Sequence, residues 1–183
     1  MPPYIDPSTP PDLIALSAGL LVARLVLGLY MAAHGAQKLL GWFGGPGVTV
    51  TSGFFEQLGF RPARMFVITA SLAEIAAGLL VALGFLGPVG PALMLSVLIV
   101  AAVSVHWPNG LFVTSNGIEH AVIFAAGAFA LALTGPGLFS LDAVVGLEAL
   151  WSPRLAWAAI TIGVMGGIAN LAVRRPPQEP AAH

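Results

Sequence analysis

Five apolar stretches along the chain have the length that a helix needs to cross a bilayer, roughly 20 residues. Each carries few ionisable side chains, and the third carries none. This pattern is typical of transmembrane helices rather than of a soluble core. The fourth stretch is short and begins with Glu119 and His120, which we place at a membrane boundary. The stretches are residues 13–39, 65–86, 89–105, 118–134 and 155–173.

Glycine and proline gather between these stretches and predict turns at residues 84–91, 108–117 and 135–137. The first linker differs, because residues 41–47 are too rich in glycine for a helix and too aromatic for an ordinary hydrated loop. We expect that linker at the membrane interface. Residues 54–60 then predict a short amphipathic turn on the headgroups, with Arg61 and Arg64 reaching anionic lipid.

The composition supports a membrane protein. The 183 residues include 57% hydrophobic and only 8% charged side chains, whereas about a quarter of the residues in soluble domains are charged. A net charge of -1, without a basic cluster, argues against nucleic-acid binding. The chain contains no cysteine, which excludes disulfides, iron–sulfur ligation and thiolate zinc sites made by this chain alone.

Basic side chains predict the orientation, since positively charged short loops stay in the cytoplasm. Five of them fall on one side if all five stretches cross the membrane, and Arg154 alone falls on the other. We therefore expect an exported N-terminus, retained as a Pro-rich tail, and a cytoplasmic C-terminus. The five are Lys38, Arg61, Arg64, Arg174 and Arg175.

Small residues inside the stretches predict close helix packing. Residues 125–128 read Ala-Ala-Gly-Ala, and Gly163 and Gly167 are spaced by four. Lipid gives helices no hydrophobic reason to associate, whereas small residues allow backbones to approach each other. The predicted fold is therefore all-α, a polytopic membrane helix bundle, and homo-oligomerisation is left open.

Two buried charges should lie at similar depths in the membrane. Arg24 is fourteen residues, or about 21 Å of helical rise, from Lys38, and Glu74 is nine residues, or about 14 Å, from Met65. If Lys38 and Met65 both mark the cytoplasmic boundary, Arg24 and Glu74 can form an ion pair, which would offset the cost of burying each charge. Such a pair serves either chemistry or only the association of the helices.

The first stretch also carries His34 and Lys38, both within about 80° of Arg24 on a helical wheel. This face points inward if these polar side chains are to avoid the cost of contact with lipid. Two simpler interpretations stay open. Lys38 at a helix end can extend to the headgroups, and His34 can simply bond a backbone carbonyl across the bundle.

His106 and Asn109 close the third stretch, and Glu119 and His120 open the fourth, so topology places all of them on the side of His34 and Lys38. Such a cluster suits a quinone headgroup, which needs hydrogen-bond donors and a proton route, or a metal. The metal interpretation is weak, because the histidines come from separate helices without the usual close spacing, and we predict no metal site. We assign proton relay to Glu74, His34 and Glu119, and quinone binding to Arg24, Lys38, His106, Asn109 and His120.

Several short motifs in order resemble the DoxX family of bacterial integral membrane proteins. They include residues 24–28, 34–39, 41–47, 53–56, Glu74 followed by Gly78, 106–110 and 135–142. The resemblance implies a four-helix membrane core in the bacterial plasma membrane and a link to quinone-reducing redox complexes or to oxidative-stress enzymes. Together with the apolar stretches, it divides the chain into an exported tail (1–12), a DoxX-like core (13–142), a linker with a fifth transmembrane helix that extends beyond that core (143–173) and a cytoplasmic tail (174–183).

Three functions follow from these observations. The first is a subunit of a quinone-linked oxidoreductase complex, in which a protein partner supplies the electrons because the chain shows no redox motif. The second is a non-catalytic membrane anchor or assembly factor for a redox enzyme. The third, a carrier of protons or small solutes, has weaker support because no inverted repeat is evident.

Overall fold

The fold is entirely helical over residues 8–175, the part of the chain that the computed structural model describes. The predicted tails, residues 1–12 and 174–183, lie mostly outside this range, although α1 already begins at Pro11. The α-helices are α1 (Pro11–Leu40), α2 (Gly47–Gln57), α3 (Ala63–Leu83), α4 (Val89–Ala101), α5 (Glu119–Thr134), α6 (Leu141–Val145) and α7 (Pro153–Ala172). A π-helical turn, Ala102–His106, continues α4.

Four helical segments are long and apolar enough to span a membrane, and the chain is a multi-pass membrane protein. They are Pro11–Leu40, Ala63–Leu83, Val89–Asn109 and Pro153–Ala172. The remaining predicted span, α5, has 16 residues. At 1.5 Å per residue it is about 24 Å long, less than the roughly 30 Å of a hydrocarbon core.

The first linker is more helical than its sequence predicts. We expected a short amphipathic turn at residues 54–60, but α2 already begins at Gly47 and ends at Gln57. A single 3-10 turn, Trp42–Gly44, precedes it, and the Trp42 and Phe43 side chains in that turn are exposed. Exposed aromatic rings at a helix end suit the membrane interface.

Glycines set the closest helix contacts, as predicted from the small residues. A methyl group on Gly28 of α1 would lie 2.5 Å from the carbonyl oxygen of Gly78 on α3, so these two backbones touch. Gly163 and Gly167 of α7 face Ala92 and Ser96 of α4 in the same way. The packing prediction for the Gly163/Gly167 pair is therefore confirmed.

The bundle has two ends, which we name the Lys38 end and the Asp142 end. At the Lys38 end, Arg174 Nε donates to the Leu58 carbonyl at 2.9 Å, and Arg175 N donates to the Gly59 carbonyl at 2.8 Å. The residues that follow α7 therefore contact the linker between α2 and α3. At the Asp142 end, the segment before α6 packs on the turn between α3 and α4, where Asp142 N donates to the Gly84 carbonyl.

Candidate functional site

A cavity of about 1070 Å³ opens inside the bundle near the Lys38 end. Helices α1, α2, α3 and α4, the π-helical turn and the start of α5 all line it. Most of its wall is apolar, and α2 contributes Phe54 and Phe55. Its ionisable and hydroxyl groups include His34, Lys38, Glu74, Ser104, His106 and His120.

Lys38 and Glu74 form an ion pair in the cavity wall. Lys38 Nζ donates to Glu74 Oε1 at 2.5 Å, and the two side chains are 28% and 7% exposed. Glu74 Oε2 is buried and has no hydrogen-bond partner within the described residues. The lysine therefore neutralises a carboxylate inside the bundle instead of extending to the headgroups, and one carboxylate oxygen is left to accept a further hydrogen bond.

The predicted ion pair between Arg24 and Glu74 is wrong. The contacts of Gly28 with Gly78, and of Gly35 with Ser71, set the register of the antiparallel α1 and α3. In this register Glu74 lies level with His34, ten residues or about 15 Å along α1 from Arg24. The prediction failed because it placed Met65 level with Lys38. In the observed register, Met65 lies beyond Lys38 along the axis of α1, so Glu74 is farther from Arg24 than expected.

Arg24 points toward the Asp142 end instead of the cavity. Its Nη2 donates to the Phe139 carbonyl at 2.5 Å, and Nη1 lies so close to Gly84 that a side chain there would overlap it. Arg24 is 2% exposed, and its Nε and Nη1 have no hydrogen-bond partner among residues 8–175. Arg24 was predicted to bind the quinone, but it does not line the cavity.

Asp142 is a buried charge to which sequence analysis gave no role. Its two carboxylate oxygens accept hydrogen bonds from Leu86 N, Gly87 N and Trp151 Nε1 at 2.7–2.9 Å. The Asp142 carboxylate is also an electrostatic partner of Arg24. An acidic residue in an otherwise apolar segment was the available signal, because a buried carboxylate needs several donors.

Two cavity histidines each bond a backbone carbonyl. His34 Nδ1 donates to the Tyr30 carbonyl at 2.9 Å, within its own helix and not across the bundle. His106 Nδ1 donates to the Asn116 carbonyl at 2.9 Å, in the loop before α5. Because a carbonyl only accepts, the ring nitrogen that faces it must carry the proton.

The π-helical turn and the start of α5 bring His106 and His120 together. Their ring centroids are 4.2 Å apart, and the planes meet at 87°. His120 interacts electrostatically with both His34 and His106, and its Nδ1 is buried without a hydrogen-bond partner in the described chain. Three predicted histidines therefore converge on one cavity although they come from separate elements.

Asn109 and Glu119 lie outside the cavity wall. Asn109 Nδ2 donates to the Val105 carbonyl at 2.8 Å, and Glu119 Oε2 accepts from Val113 N at 2.8 Å. Both side chains thus hold the loop between the π-helical turn and α5. Of the predicted site residues, the structure gathers His34, Lys38, Glu74, His106 and His120 and leaves Arg24, Asn109 and Glu119 elsewhere.

Ser104 was not among the residues predicted from the sequence, but its buried hydroxyl lines the cavity and has no hydrogen-bond partner in the part of the chain described. A serine in an apolar stretch carries little signal, and only the π-helical turn determines which way it faces. Within residues 8–175, no group of three His, Cys, Asp or Glu side chains is arranged to hold a metal ion.

A family model named DoxX matches residues 19–107. The chain carries a DoxX domain. No curated protein and no solved structure gives a significant match to the chain. The matched residues contain α1 from residue 19 onward, α2, α3, α4 and the π-helical turn, so the DoxX domain supplies His34, Lys38, Glu74 and His106 of the cavity.

The rest of the cavity and the Asp142 end lie beyond the DoxX match. His120 follows the match by thirteen positions, and the residues 135–142, which carried part of the resemblance, also fall outside it. α5 nevertheless packs on α1 and α4. The DoxX domain therefore forms most of the wall of the cavity, and α5 completes it.

Proposed function

We propose that this DoxX protein is an integral membrane subunit of a quinone-linked oxidoreductase complex, and that the cavity near its Lys38 end binds the quinone headgroup. One observation carries the proposal. An ion pair and three histidines converge on a largely apolar cavity inside a membrane bundle. Burying ionisable groups in a membrane costs free energy, so their presence together indicates a functional site.

The size and lining of the cavity fit an aromatic ring with an apolar tail. Its volume of about 1070 Å³ is slightly above the usual range for small-molecule sites. Phe54, Phe55 and Phe124 provide apolar surface. Lys38 carries three donors and uses one for Glu74, so two N–H groups can reach a ligand oxygen.

Several cavity groups suit proton transfer. Reduction of a quinone to a quinol takes up two protons with two electrons. Glu74 Oε2, Ser104 Oγ and His120 Nδ1 are buried and unpaired among the described residues, and all three belong to side chains that exchange or relay protons. Glu74 is the group best placed to do so, because Lys38 holds its other oxygen.

Electrons come from a partner in this proposal. The chain has no cysteine, and its sequence shows no haem-attachment or nucleotide-binding motif. The basic residues of the first linker and those after α7 share the Lys38 end. We place that end at the cytoplasmic face of a bacterial inner membrane, where a soluble or membrane-bound partner can reach it.

The lack of cysteine equally favours a second function, a non-catalytic anchor or assembly factor for a redox enzyme. An anchor needs no redox group of its own. It also needs no ligand in the cavity, and this difference separates the two functions.

The experiment is purification of the protein from native membranes in mild detergent, with its partners retained, followed by solvent extraction and a quinone-linked turnover assay. Bound quinone together with turnover supports the proposal. A retained redox partner without bound quinone, and without any effect of cavity variants on turnover, supports the anchor.

Glu74→Gln and Glu119→Gln form a matched pair for the same assay. Both remove one carboxylate, but only Glu74 lines the cavity. We expect Glu74→Gln to lower turnover at least tenfold in protein that still folds, since general acid–base groups contribute about 10²–10⁴-fold. Glu119→Gln should keep most of the turnover, and equal losses in both variants would contradict the proposal.

A further inference from the structure

The cavity continues sideways into an opening between α3 and α7, with α4 as its floor. Thr69 of α3 and Asn170 of α7 both line the cavity, and both are exposed on the outside of the bundle. Ser96 of α4 lines the cavity too, and its hydroxyl would lie 3.3 Å from a methyl group on Gly166 of α7. The cavity therefore reaches the seam between α4 and α7. We name this opening the α3–α7 crevice, and its lining residues are Phe66, Thr69, Ala73, Ser96, Val100 and Asn170.

The packing of the helices leaves the α3–α7 crevice open toward lipid. α3 packs on α1, α2 and α4, whereas α7 packs on α4 and α5. Hydrogen bonds join the two sides at the Lys38 end, where Arg174 Nε donates to the Leu58 carbonyl and Arg175 N donates to the Gly59 carbonyl. Thr69 lies about 9 Å along α3 from the first residue of that helix. The opening is therefore at the depth of the acyl chains, and these bonds lie between it and the aqueous face of the Lys38 end.

The two sides of the cavity differ in charge. The lysine, glutamate and histidine side chains of its wall belong to α1, α3, the π-helical turn and the start of α5. The lining residues from α4 and α7 are uncharged, and so are those of α3 before Glu74. A ligand with a polar ring and an apolar chain matches this division, because the ring can lie beside the Lys38–Glu74 pair and the chain in the α3–α7 crevice.

The opposite side of the cavity is bordered by larger side chains. His34 of α1 meets Phe124 of α5 edge to face, with the ring centroids 6.2 Å apart, and α1 packs on α5. The α3–α7 crevice is bordered instead by small side chains such as Thr69, Ala73 and Ser96. Side-chain size therefore favours the α3–α7 crevice over the gap between α1 and α5 as the path of a chain.

We propose that the cavity takes a lipid-like ligand from the bilayer, and that the apolar tail of this ligand leaves through the α3–α7 crevice. This inference rests on the proposed function, because it specifies which quinones the same cavity takes, namely those with a long apolar tail. The cavity volume of about 1070 Å³ supports a tail, since sites of roughly 300–1,000 Å³ hold whole drug-sized ligands and a single ring needs less.

The first test locates the tail by photo-crosslinking. The full chain in phospholipid nanodiscs is irradiated with a decyl benzoquinone that carries a diazirine on the tail near the ring, and mass spectrometry of peptides maps the adducts. We expect adducts on the segments that form the α3–α7 crevice, at residues 66–73, 96–101 and 166–170. An excess of unlabelled decyl benzoquinone should suppress them. Adducts concentrated on α5 or on the outward face of α1 overturn the inference.

The second test fills the α3–α7 crevice. Thr69→Trp and Asn170→Trp place an indole ring in it, whereas Leu72→Trp and Ile168→Trp add the same ring at exposed positions of the same helices outside the cavity. Calorimetric titrations in nanodiscs compare decyl benzoquinone with a benzoquinone that carries a methyl group in place of the tail. Partition of each ligand into the lipid is the same for every variant and cancels in the comparison. Thermal unfolding confirms that each variant is folded.

We expect each crevice variant to weaken binding of the decyl ligand about tenfold, because the ring and the tail compete for one space, and to change binding of the tail-free ligand less than about twofold. The two control variants should change neither ligand. Equal weakening of both ligands, or equal losses in the control variants, overturns the inference and leaves a quinone site standing.

Two further outcomes separate this inference from the proposed function. If neither ligand binds to the unsubstituted protein, the proposed function is overturned and the inference with it. Adducts in the α3–α7 crevice that excess decyl benzoquinone does not suppress assign the crevice to ordinary membrane phospholipid. That result overturns the inference, while binding of the tail-free ligand would still support the proposed function.

Discussion

At the scale of single residues, two buried charges in this protein are stabilised in different ways. Glu74 meets one cation, Lys38, and keeps an oxygen free in the cavity. Asp142 accepts three hydrogen bonds and is 0% exposed. A carboxylate with all its donors in place supports the fold, whereas one with a spare oxygen beside a cavity is available to a ligand.

Asp142→Asn should therefore lower stability. An asparagine side chain has a single carboxamide oxygen, and its amide would face an N–H donor of the turn between α3 and α4. Hydrogen bonds to a charged group are worth about 1.5–3 kcal/mol each, so we expect a loss of that order and a lower melting temperature in detergent. Asp12→Asn, at the exposed start of α1, is the control. Equal melting temperatures for the two variants would contradict this role for Asp142.

The identity of the polar residues could be predicted from the sequence, but their pairing could not. Arg24, Lys38 and Glu74 are conspicuous in apolar stretches, because each needs a partner in lipid. Which of them pair depends on the register between α1 and α3. That register is set by the contact of Gly28 with Gly78, and intervals within one helix do not reveal it.

At the scale of elements, α1 and α3 form the closest contact in the DoxX domain. A methyl group on Gly28 would lie 2.5 Å from the Gly78 oxygen and 2.6 Å from Ala82 N. Both are backbone atoms that cannot rotate away. The two helices would have to separate, and the Lys38–Glu74 pair that joins them would be strained.

Gly28→Ala should accordingly destabilise the bundle by about 1–3 kcal/mol, the usual cost of overpacking. Gly19→Ala is a matched control on the same helix, because nothing lies within 4 Å of a methyl group there. Alanine also favours a helix over glycine by about 1 kcal/mol, so Gly19→Ala should be neutral or stabilising. Thermal unfolding in one detergent compares the two, and a Gly28→Ala protein as stable as Gly19→Ala would refute the close contact.

The sequence predicted the long helices better than the short elements. Apolar length defines a spanning helix, and the boundaries of α1, α3 and α7 lie within three residues of those expected. The π-helical turn at Ala102–His106 and the helical start of α2 at Gly47 were not expected. Both depend on tertiary packing, which composition and periodicity do not encode.

At the scale of the whole molecule, the two ends of the bundle differ in charge. The Lys38 end carries Arg61, Arg64, Arg174 and Arg175, while Glu148 and Arg154 lie near the other end. Positively charged short loops are retained in the cytoplasm. The proposed orientation rests on which loops share an end, and the contacts between residues 58–59 and 174–175 place the first linker and the end of α7 together.

Labelling of single cysteines tests this orientation, and the cysteine-free natural sequence serves as the background. A membrane-impermeant maleimide should label Glu148→Cys in spheroplasts. Gln57→Cys, at the exposed end of α2, should be labelled only after the membrane is permeabilised. The reverse pattern would show that the Lys38 end faces outward, and the unsubstituted protein controls for non-specific labelling.

The bonds from Arg174 and Arg175 to residues 58 and 59 have a mechanical consequence. Leu58 and Phe60 belong to the cavity wall, and the Arg174 guanidinium lies 5.7 Å from the centre of the Phe60 ring. The end of α7 therefore braces one side of the cavity wall, and any outward displacement of Leu58 would have to break the Arg174 bond or carry the end of α7 with it.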